Sequence, residues 1–303
     1  MAAHGTRSSW SGYALVALAA VLWALIGPLT NELFDVGVDA ATIAFWRAAI
    51  AGALFVVHGV VTRSLIRPTG RELALLVGFG LVGVAVFYVA LPEAVDAGGV
   101  GLAAILLYTA PVYVAVASRL LFGDRLDRRR VAPIVATLIG VGLVAVGAGG
   151  TVTRPAAALA WGLIAGLTYA SYYLIGRLLG PAYGPAATYA IAFPLGALAL
   201  APRAQLGIDG GRAWLLLVVL GVVSTYVAYL CFATGLRRVD PTRASIVATL
   251  EPVVATALGA SLYDERLGSV TLIGGAIIVV SAAISARSGP TSGLRTAPVA
   301  GGS

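Results

Sequence analysis

The sequence has no lysine among its 20 basic residues, a single cysteine (Cys231), and only two histidines (His4 and His58). A lone cysteine excludes an intramolecular disulfide framework and any Cys-x-x-Cys redox or metal pair. Two histidines are too few for a histidine-based metal centre, so no metal and no cofactor are expected. Without lysine the phosphate loop GxxxxGK[ST] cannot occur, which removes nucleotide hydrolysis by that route. Charge is scarce too: Asp, Glu, Lys and Arg make up 11% of the 303 residues, against 59% hydrophobic. With a mean hydropathy of +0.95, the chain is too apolar for a soluble domain with a solvated surface. His-Glu-x-x-His and Gly-x-Ser-x-Gly are absent and no paired aspartates lie within an apolar run, so an intramembrane enzyme lacks its constellation. No enzymatic activity is expected.

What is present is a succession of hydrophobic runs separated by polar breaks. A crossing needs roughly 20 residues at about 1.5 Å per residue. Ten runs meet that length: Gly12 to Leu33, Ala40 to Val61, Glu72 to Leu91, Gly99 to Leu121, Val131 to Ala148, Ala156 to Leu178, Pro185 to Ala201, Ala213 to Leu236, Ala244 to Tyr263 and Ser269 to Ala286. The first follows Arg7 and contains Ala17-Leu18-Ala19 as a signal peptide would, but at about 22 residues, with the small-residue pattern inside it, it reads as a retained helix.

Arginine position tests the count. With residues 1–11 as a cytoplasmic segment, alternate connections on that side hold fifteen of the twenty arginines, including Arg63, Arg67, Arg71 and the group Arg125 to Arg130. The other side collects Glu32, Asp35, Asp39, Glu93, Asp96, Asp209, Asp264 and Glu265. Adding or losing one crossing would invert every later loop and destroy this asymmetry. The expected fold is an all-α integral membrane protein with ten transmembrane helices and both termini cytoplasmic. Residues 287–303, rich in Ser, Gly, Pro and Thr, read as a disordered cytoplasmic tail. Arginine in place of every lysine is a compositional sign of a GC-rich bacterial genome, so the expected location is a bacterial inner membrane. The same arginine group could contact anionic lipid, and no nucleic-acid role is needed to explain it.

An ungapped shift of 141 residues lays Phe87-Tyr88-Val89 on Ala228-Tyr229-Leu230, Pro111-Val112 on Pro252-Val253, and Phe122-Gly123-Asp124-Arg125-Leu126 on Tyr263-Asp264-Glu265-Arg266-Leu267. Two halves follow, 12–148 and 156–286, with five helices each. Five is odd, so the second half enters the membrane in the opposite sense. Inverted repeats with a midplane site between them are an architecture of secondary transporters.

Trp23 in the first run, Arg47 within Phe45-Trp46-Arg47-Ala48-Ala49, Tyr108-Thr109-Ala110-Pro111-Val112, and the second-half Leu250-Glu251-Pro252-Val253 resemble the EamA-type domain of the drug/metabolite transporter superfamily. The resemblance covers roughly residues 12 to 286. It implies a transporter of that superfamily, whose members export amino acids, other metabolites or drugs, so the substrate does not carry over; the leading expectation is a secondary active exporter of small metabolites, such as amino acids or related compounds, by alternating access driven by proton exchange. A lipid-carrier flippase or a channel-like facilitator on the same scaffold is the alternative. Implied partners are a small-molecule substrate and membrane lipids; a homodimer is left open. One departure matters: the first half has Ala110-Pro111 where the second has Glu251-Pro252, so only one half carries a carboxylate there.

Glu251 is the only carboxylate well inside an apolar run, at a cost of at least about 2.5 to 3.5 kcal/mol for the charged form. Either it is a protonatable coupling group facing a central cavity, or it is a structural partner of Arg47 or of backbone loosened by Pro252. Their depths differ by about four residues, roughly 6 Å, which two long side chains can bridge. Arg47 in turn has a structural or gating role, or binds an anionic group of the substrate. Pro111 and Pro252 interrupt matching helices, and such paired interruptions point to a transporter site, although bends for packing explain them as well. Tyr88, Tyr108, Tyr172 and Tyr229 join Trp23 as cavity candidates, because a phenol inside a membrane helix needs a polar partner. Tyr113, Tyr169, Tyr173 and Tyr226 belong to the same aromatic set, while Trp10, Trp161 and Trp214, near run ends, read as interfacial anchors. Gly78-x-Gly80-x-x-Gly83 matches a dinucleotide fingerprint only on paper, since it lies inside a hydrophobic run; like Gly162-x-x-x-Gly166 it fits close helix packing.

Overall fold

The computed structural model describes residues 2–148, 152–263 and 268–287. Their regular structure is helical, with no strand among the described residues. The tail expected at 288–303 and the second-half motif residues Asp264, Glu265, Arg266 and Leu267 lie outside the described residues. In chain order the α-helices are α1 (Ala2–Ala24), α2 (Ile26–Asp35), α3 (Ala40–Val61), α4 (Gly70–Phe79), α5 (Phe87–Leu107), α6 (Ala110–Phe122) and α7 (Arg128–Ala148). They continue as α8 (Pro155–Leu179), α9 (Pro185–Leu200), α10 (Gly211–Gly221), α11 (Ala228–Leu236), α12 (Pro241–Ala248), α13 (Leu250–Tyr263) and α14 (Ser269–Arg287). The expected run Ala40 to Val61 coincides with α3 and Ala156 to Leu178 lies within α8, whereas the expected runs at 12–33, 72–91, 99–121, 213–236 and 244–263 are each interrupted by a helix break or a π-helical stretch.

Local sequence sets several of these ends. Asp39 caps α3 by accepting from the Thr42 amide at 2.9 Å, and Asp240 caps α12 by accepting from the Arg243 amide at 3.2 Å. Thr69 and Glu72 form a reciprocal capping box at the start of α4. Gly123, at φ 72°, closes α6 in the left-handed conformation.

Eight helical stretches are long and apolar enough to cross a bilayer. One of them, Gly70–Phe122, has 53 residues, about 80 Å of helix against a hydrocarbon core of about 30 Å. It is divided at Gly99, whose φ 76° and ψ 164° are accessible essentially to glycine alone. Contacts show the reversal: Glu72 meets Tyr183, Asp96 meets Arg154 at the opposite end, and Asp124 returns to Arg177 near Tyr183. Arg130–Val146 is a further apolar helix on the short side of a crossing.

Two irregularities recur at the same separation as the sequence repeat. Residues Gly80–Val86 and Val222–Val227 are π-helical, each running directly into the Tyr88 or Tyr229 segment. Helix also breaks at Tyr108–Thr109, between α5 and α6, and at Thr249, between α12 and α13. The hydroxyl of Thr109 donates to the Leu106 carbonyl at 2.6 Å and that of Thr249 to Ile246 at 2.5 Å, satisfying backbone acceptors released by the breaks. Pro111 and Pro252 follow these breaks within the first turns of α6 and α13, where a missing N–H costs little. The prolines therefore start new helices and do not bend continuous ones.

α5 packs on α8, α7 on α14, α3 on α9 and α1 on α11. At the α7–α14 crossing a Cβ on Gly274 would stand 2.6 Å from the Gly140 carbonyl oxygen, and one on Gly140 would stand 2.9 Å from that of Gly274. Only glycine lets these backbones approach so closely, the packing device available where lipid gives no hydrophobic drive. The outward faces are apolar, with Val57, Leu120, Leu167, Leu198 and Ile273 exposed, as a lipid-facing surface requires.

Candidate functional site

Aromatic side chains from α1, α5, α8, α9 and α11 converge at the centre of the bundle. Trp23 lies edge-on to Tyr229 with ring centroids 5.2 Å apart, and Tyr229 stacks on Tyr172 at 5.0 Å and 25°. Tyr169 closes on Trp23 at 6.1 Å and stacks on Phe87 at 5.5 Å. Arg47 reaches in from α3, its guanidinium carbon 4.6 Å from the Tyr88 ring centroid, a cation–π contact that desolvation strengthens. Its Nε donates to Thr225 Oγ1 at 3.3 Å, and Thr225 in turn donates to the Leu220 carbonyl at 2.9 Å, five residues back in the π-helical stretch. The wide turn thus places a hydroxyl where it holds the Arg47 guanidinium inside the cluster's apolar surroundings.

Glu251 sits in the first turn of α13, beside the Tyr108 hydroxyl at the matching break of α5 and α6, and within the field of Arg47. Arg47 and Glu251 make no ion pair. Glu251 lies within the field of Arg47 without contacting it, so the expected direct bridge between them is not formed. Among the described residues, three buried polar atoms in this cluster lack a well-formed hydrogen bond: Trp23 Nε1, and Tyr88 OH and Tyr172 OH, both of which lie near the Tyr229 hydroxyl. Leaving such groups unmet costs about 1–3 kcal/mol each.

All of the expected cavity residues are placed around this centre. Trp23, Tyr88, Tyr172 and Tyr229 form it; Tyr108 and Glu251 flank it at the helix breaks; Pro111 and Pro252 begin the helices that leave it. Tyr226 turns away and bonds His58 at 2.8 Å. Trp214 donates to the Ile208 carbonyl at 3.2 Å at a bundle end, in keeping with an interfacial anchor.

The family-model comparison matches this chain twice, over residues 10–146 and 156–287, to the EamA-like transporter family. The chain is a member of the EamA-like transporter family. Among relatives of this EamA-like protein, an uncharacterized transporter of Archaeoglobus fulgidus is 32% identical over 283 residues, covering 91% of this chain and 96% of the relative. A second uncharacterized transporter of the same organism is 27% identical over 253 residues, covering 81% and 88%. A solved crystal structure shares the fold with a TM-score of 0.77 at 19% identity, covering 91% of this chain and 96% of that one.

Two parts of the EamA-like chain were not read as functional from sequence. Tyr189 and Phe193 of α9 close the cluster on Tyr229 at 5.6 and 5.1 Å; the seventh run offered no motif to flag them. At the arginine-rich end, Asp124 accepts from Arg130 at 3.1 Å and from Arg177 at 2.6 and 3.0 Å, while Arg130 pairs with Asp240 at 3.2 Å. These side chains are 8–16% exposed. Burial alone would raise the Asp124 carboxyl, but the guanidiniums of Arg177 and Arg130 overcome it and hold the group below its ordinary value. The available signal was the presence of Asp124 and Asp240 in otherwise basic connections.

Proposed function

We propose that the chain is a secondary active exporter of small metabolites, amino acids or related compounds among them, that works by alternating access in a bacterial inner membrane. The reading takes ten crossings in two inverted five-helix halves with both termini cytoplasmic. It is supported by the twofold family match, the division of Gly70–Phe122 at Gly99, and the π-helical stretches that recur with the sequence repeat.

The observation that carries it is the central cluster: the Arg47 cation, a wall of rings, and three donors without a well-formed hydrogen bond where two interrupted helices meet. A substrate with an anionic group would meet Arg47, its apolar portion would lie against Tyr88, Tyr172 and Tyr229, and its acceptors would take the donors of Trp23, Tyr88 and Tyr172. Glu251 would take up a proton from one side and release it to the other as access alternates. The Asp124–Arg130–Arg177–Asp240 network ties the two matched stretches together at the arginine-rich end, so it must separate when that end opens.

Solute flux from proteoliposomes across a metabolite panel, with and without a pH gradient, tests the reading. The gradient should drive flux in the intact chain, and a folded Glu251→Gln variant should lose that dependence. Gradient-dependent flux that persists unchanged in Glu251→Gln makes the carboxyl structural and removes the proton-coupled mechanism.

A further inference from the structure

At the arginine-rich end, a shallow depression open to solvent lies between α4, α8, α9 and α11, with Tyr172, Tyr183, Pro185, Thr188, Tyr189 and Arg237 in its lining. Its floor is shared with the central cluster, because Tyr172 and Tyr189 turn their rings to Tyr229 at 5.0 and 5.6 Å. The groups that face it are nearly all donors. The 16-residue helix α9 starts here from Gly184 with no side-chain cap, and its first residue is Pro185, which has no N–H. The amides of Ala186 and Ala187 therefore present the positive end of the helix with no side chain to answer them. Thr188, only 7% exposed, makes no side-chain hydrogen bond among the described residues.

Arg237 is exposed at the rim and forms no ion pair among the described residues. Glu72, bonded to the lining Tyr183, is already engaged: it accepts from Thr69 N at 2.8 Å, Thr69 Oγ1 at 2.7 Å and Tyr183 OH at 2.7 Å. Burial, followed by the bond to Glu72, pushes the Tyr183 phenol up to about 12, so it stays a donor at neutral pH. A cation, a helix N-terminus and the Thr188 hydroxyl thus converge on one shallow, solvent-open depression.

We propose that this depression is an anion-binding site, separate from the Arg47 cluster, that takes one carboxylate or phosphate group of a small molecule on Arg237, Thr188 and the α9 N-terminus. The site itself stands on the geometry alone. Its use as a waiting position, from which a solute passes the Tyr172–Tyr189 wall to the central cluster, rests on the transporter reading.

The test is binding of 4-fluorobenzoate, followed by ¹⁹F NMR, to the full chain in nanodiscs of neutral phosphatidylcholine, with inorganic phosphate as competitor and chloride matching the ionic strength. It is run on the intact chain and in an Arg47→Gln background that silences the central cluster. Saturable binding that phosphate displaces is expected in both. Arg237→Gln should weaken it at least tenfold, Thr188→Val several-fold, and Arg237→Lys should restore part of it. Unchanged titrations in Arg237→Gln and Thr188→Val, or no saturable binding in the Arg47→Gln background, overturn the site. Repeating the titration with phosphatidylglycerol in the disc identifies the source of the anion. If the Arg237-dependent binding disappears there, the lipid headgroup phosphate is the natural occupant; if it persists, a soluble solute is. Absence of transport with Arg237-dependent binding intact would remove the transporter reading and leave this site standing.

Discussion

Arg177 grips Asp124 with both arms of its guanidinium, Nη1 standing 2.6 Å from Oδ2 and Nη2 3.0 Å from Oδ1. The residues are 53 positions apart and belong to the two separately matched stretches of the chain. Arg130 extends the bridge from Asp124 to Asp240, at 3.1 and 3.2 Å. A fork-to-fork contact of this kind fixes orientation as well as distance, so one carboxylate holds the arginine-rich ends of α7 and α8 in register.

Asp124→Asn should destabilise the folded chain by about 3 kcal/mol, because it strips Arg177 and Arg130 of their shared carboxylate in a poorly hydrated place. Thermal unfolding in detergent, read by tryptophan fluorescence, checks this. An unchanged midpoint would mean that water already screens the network.

The same carboxyl sets an acid limit. Its native value lies below the ordinary carboxylate value of about 3.9, so its contribution is complete above that pH and is lost as pH falls through the depressed native value. The Asp124 contribution should therefore be flat from about pH 5 to 8 and fall below about 4. Subtracting the Asp124→Asn profile from that of the intact chain isolates it; a difference that declines between pH 5 and 8 would contradict the assignment.

Arg47→Lys should not rescue Arg47→Gln. The contact over Tyr88 at 4.6 Å and the Nε bond to Thr225 at 3.3 Å use a planar group that lysine lacks. Both variants should fold and lose flux at least tenfold, measured in proteoliposomes on whichever solute the intact chain moves. Full activity in Arg47→Lys would reduce the residue to a point charge.

Gly274→Leu should separate α7 from α14, since even a Cβ there meets the Gly140 carbonyl at 2.6 Å. The expected cost is at least 1–3 kcal/mol, seen as a lower unfolding midpoint. Gly142→Leu, where a Cβ meets nothing within 4 Å, is the control and should behave as the intact chain.

Much of the helical framework was legible because a bilayer imposes run length and loop charge directly on composition. The candidate site was legible in part. Arg47 and Glu251 stand out as charges in apolar runs, and Tyr88 and Tyr229 as repeat mates. Pro111 and Pro252 marked the right places but not the right event, since each opens a new helix after a break and does not kink a continuous one. Pattern could not distinguish these outcomes, because the break depends on hydroxyls of Thr109 and Thr249 turning back onto their own backbone. The π-helical turns were invisible for a related reason: a five-residue hydrogen-bond spacing leaves an apolar run just as apolar. The depth offset of Arg47 and Glu251 suggested a bridge, yet Thr225 and the Tyr88 ring hold the guanidinium elsewhere.

The most direct test of alternating access across the central cluster is solute counterflow in proteoliposomes with Asp124→Cys and Arg177→Cys joined by a short reducible thiol bridge, in a Cys231→Ser background. Holding these two positions together prevents the arginine-rich end from opening. The account predicts that counterflow stops when the bridge is installed and returns when it is reduced, while the unbridged double variant continues to exchange. Counterflow at an undiminished rate with the bridge in place would contradict it, because solute would then be crossing without separation of the two matched stretches.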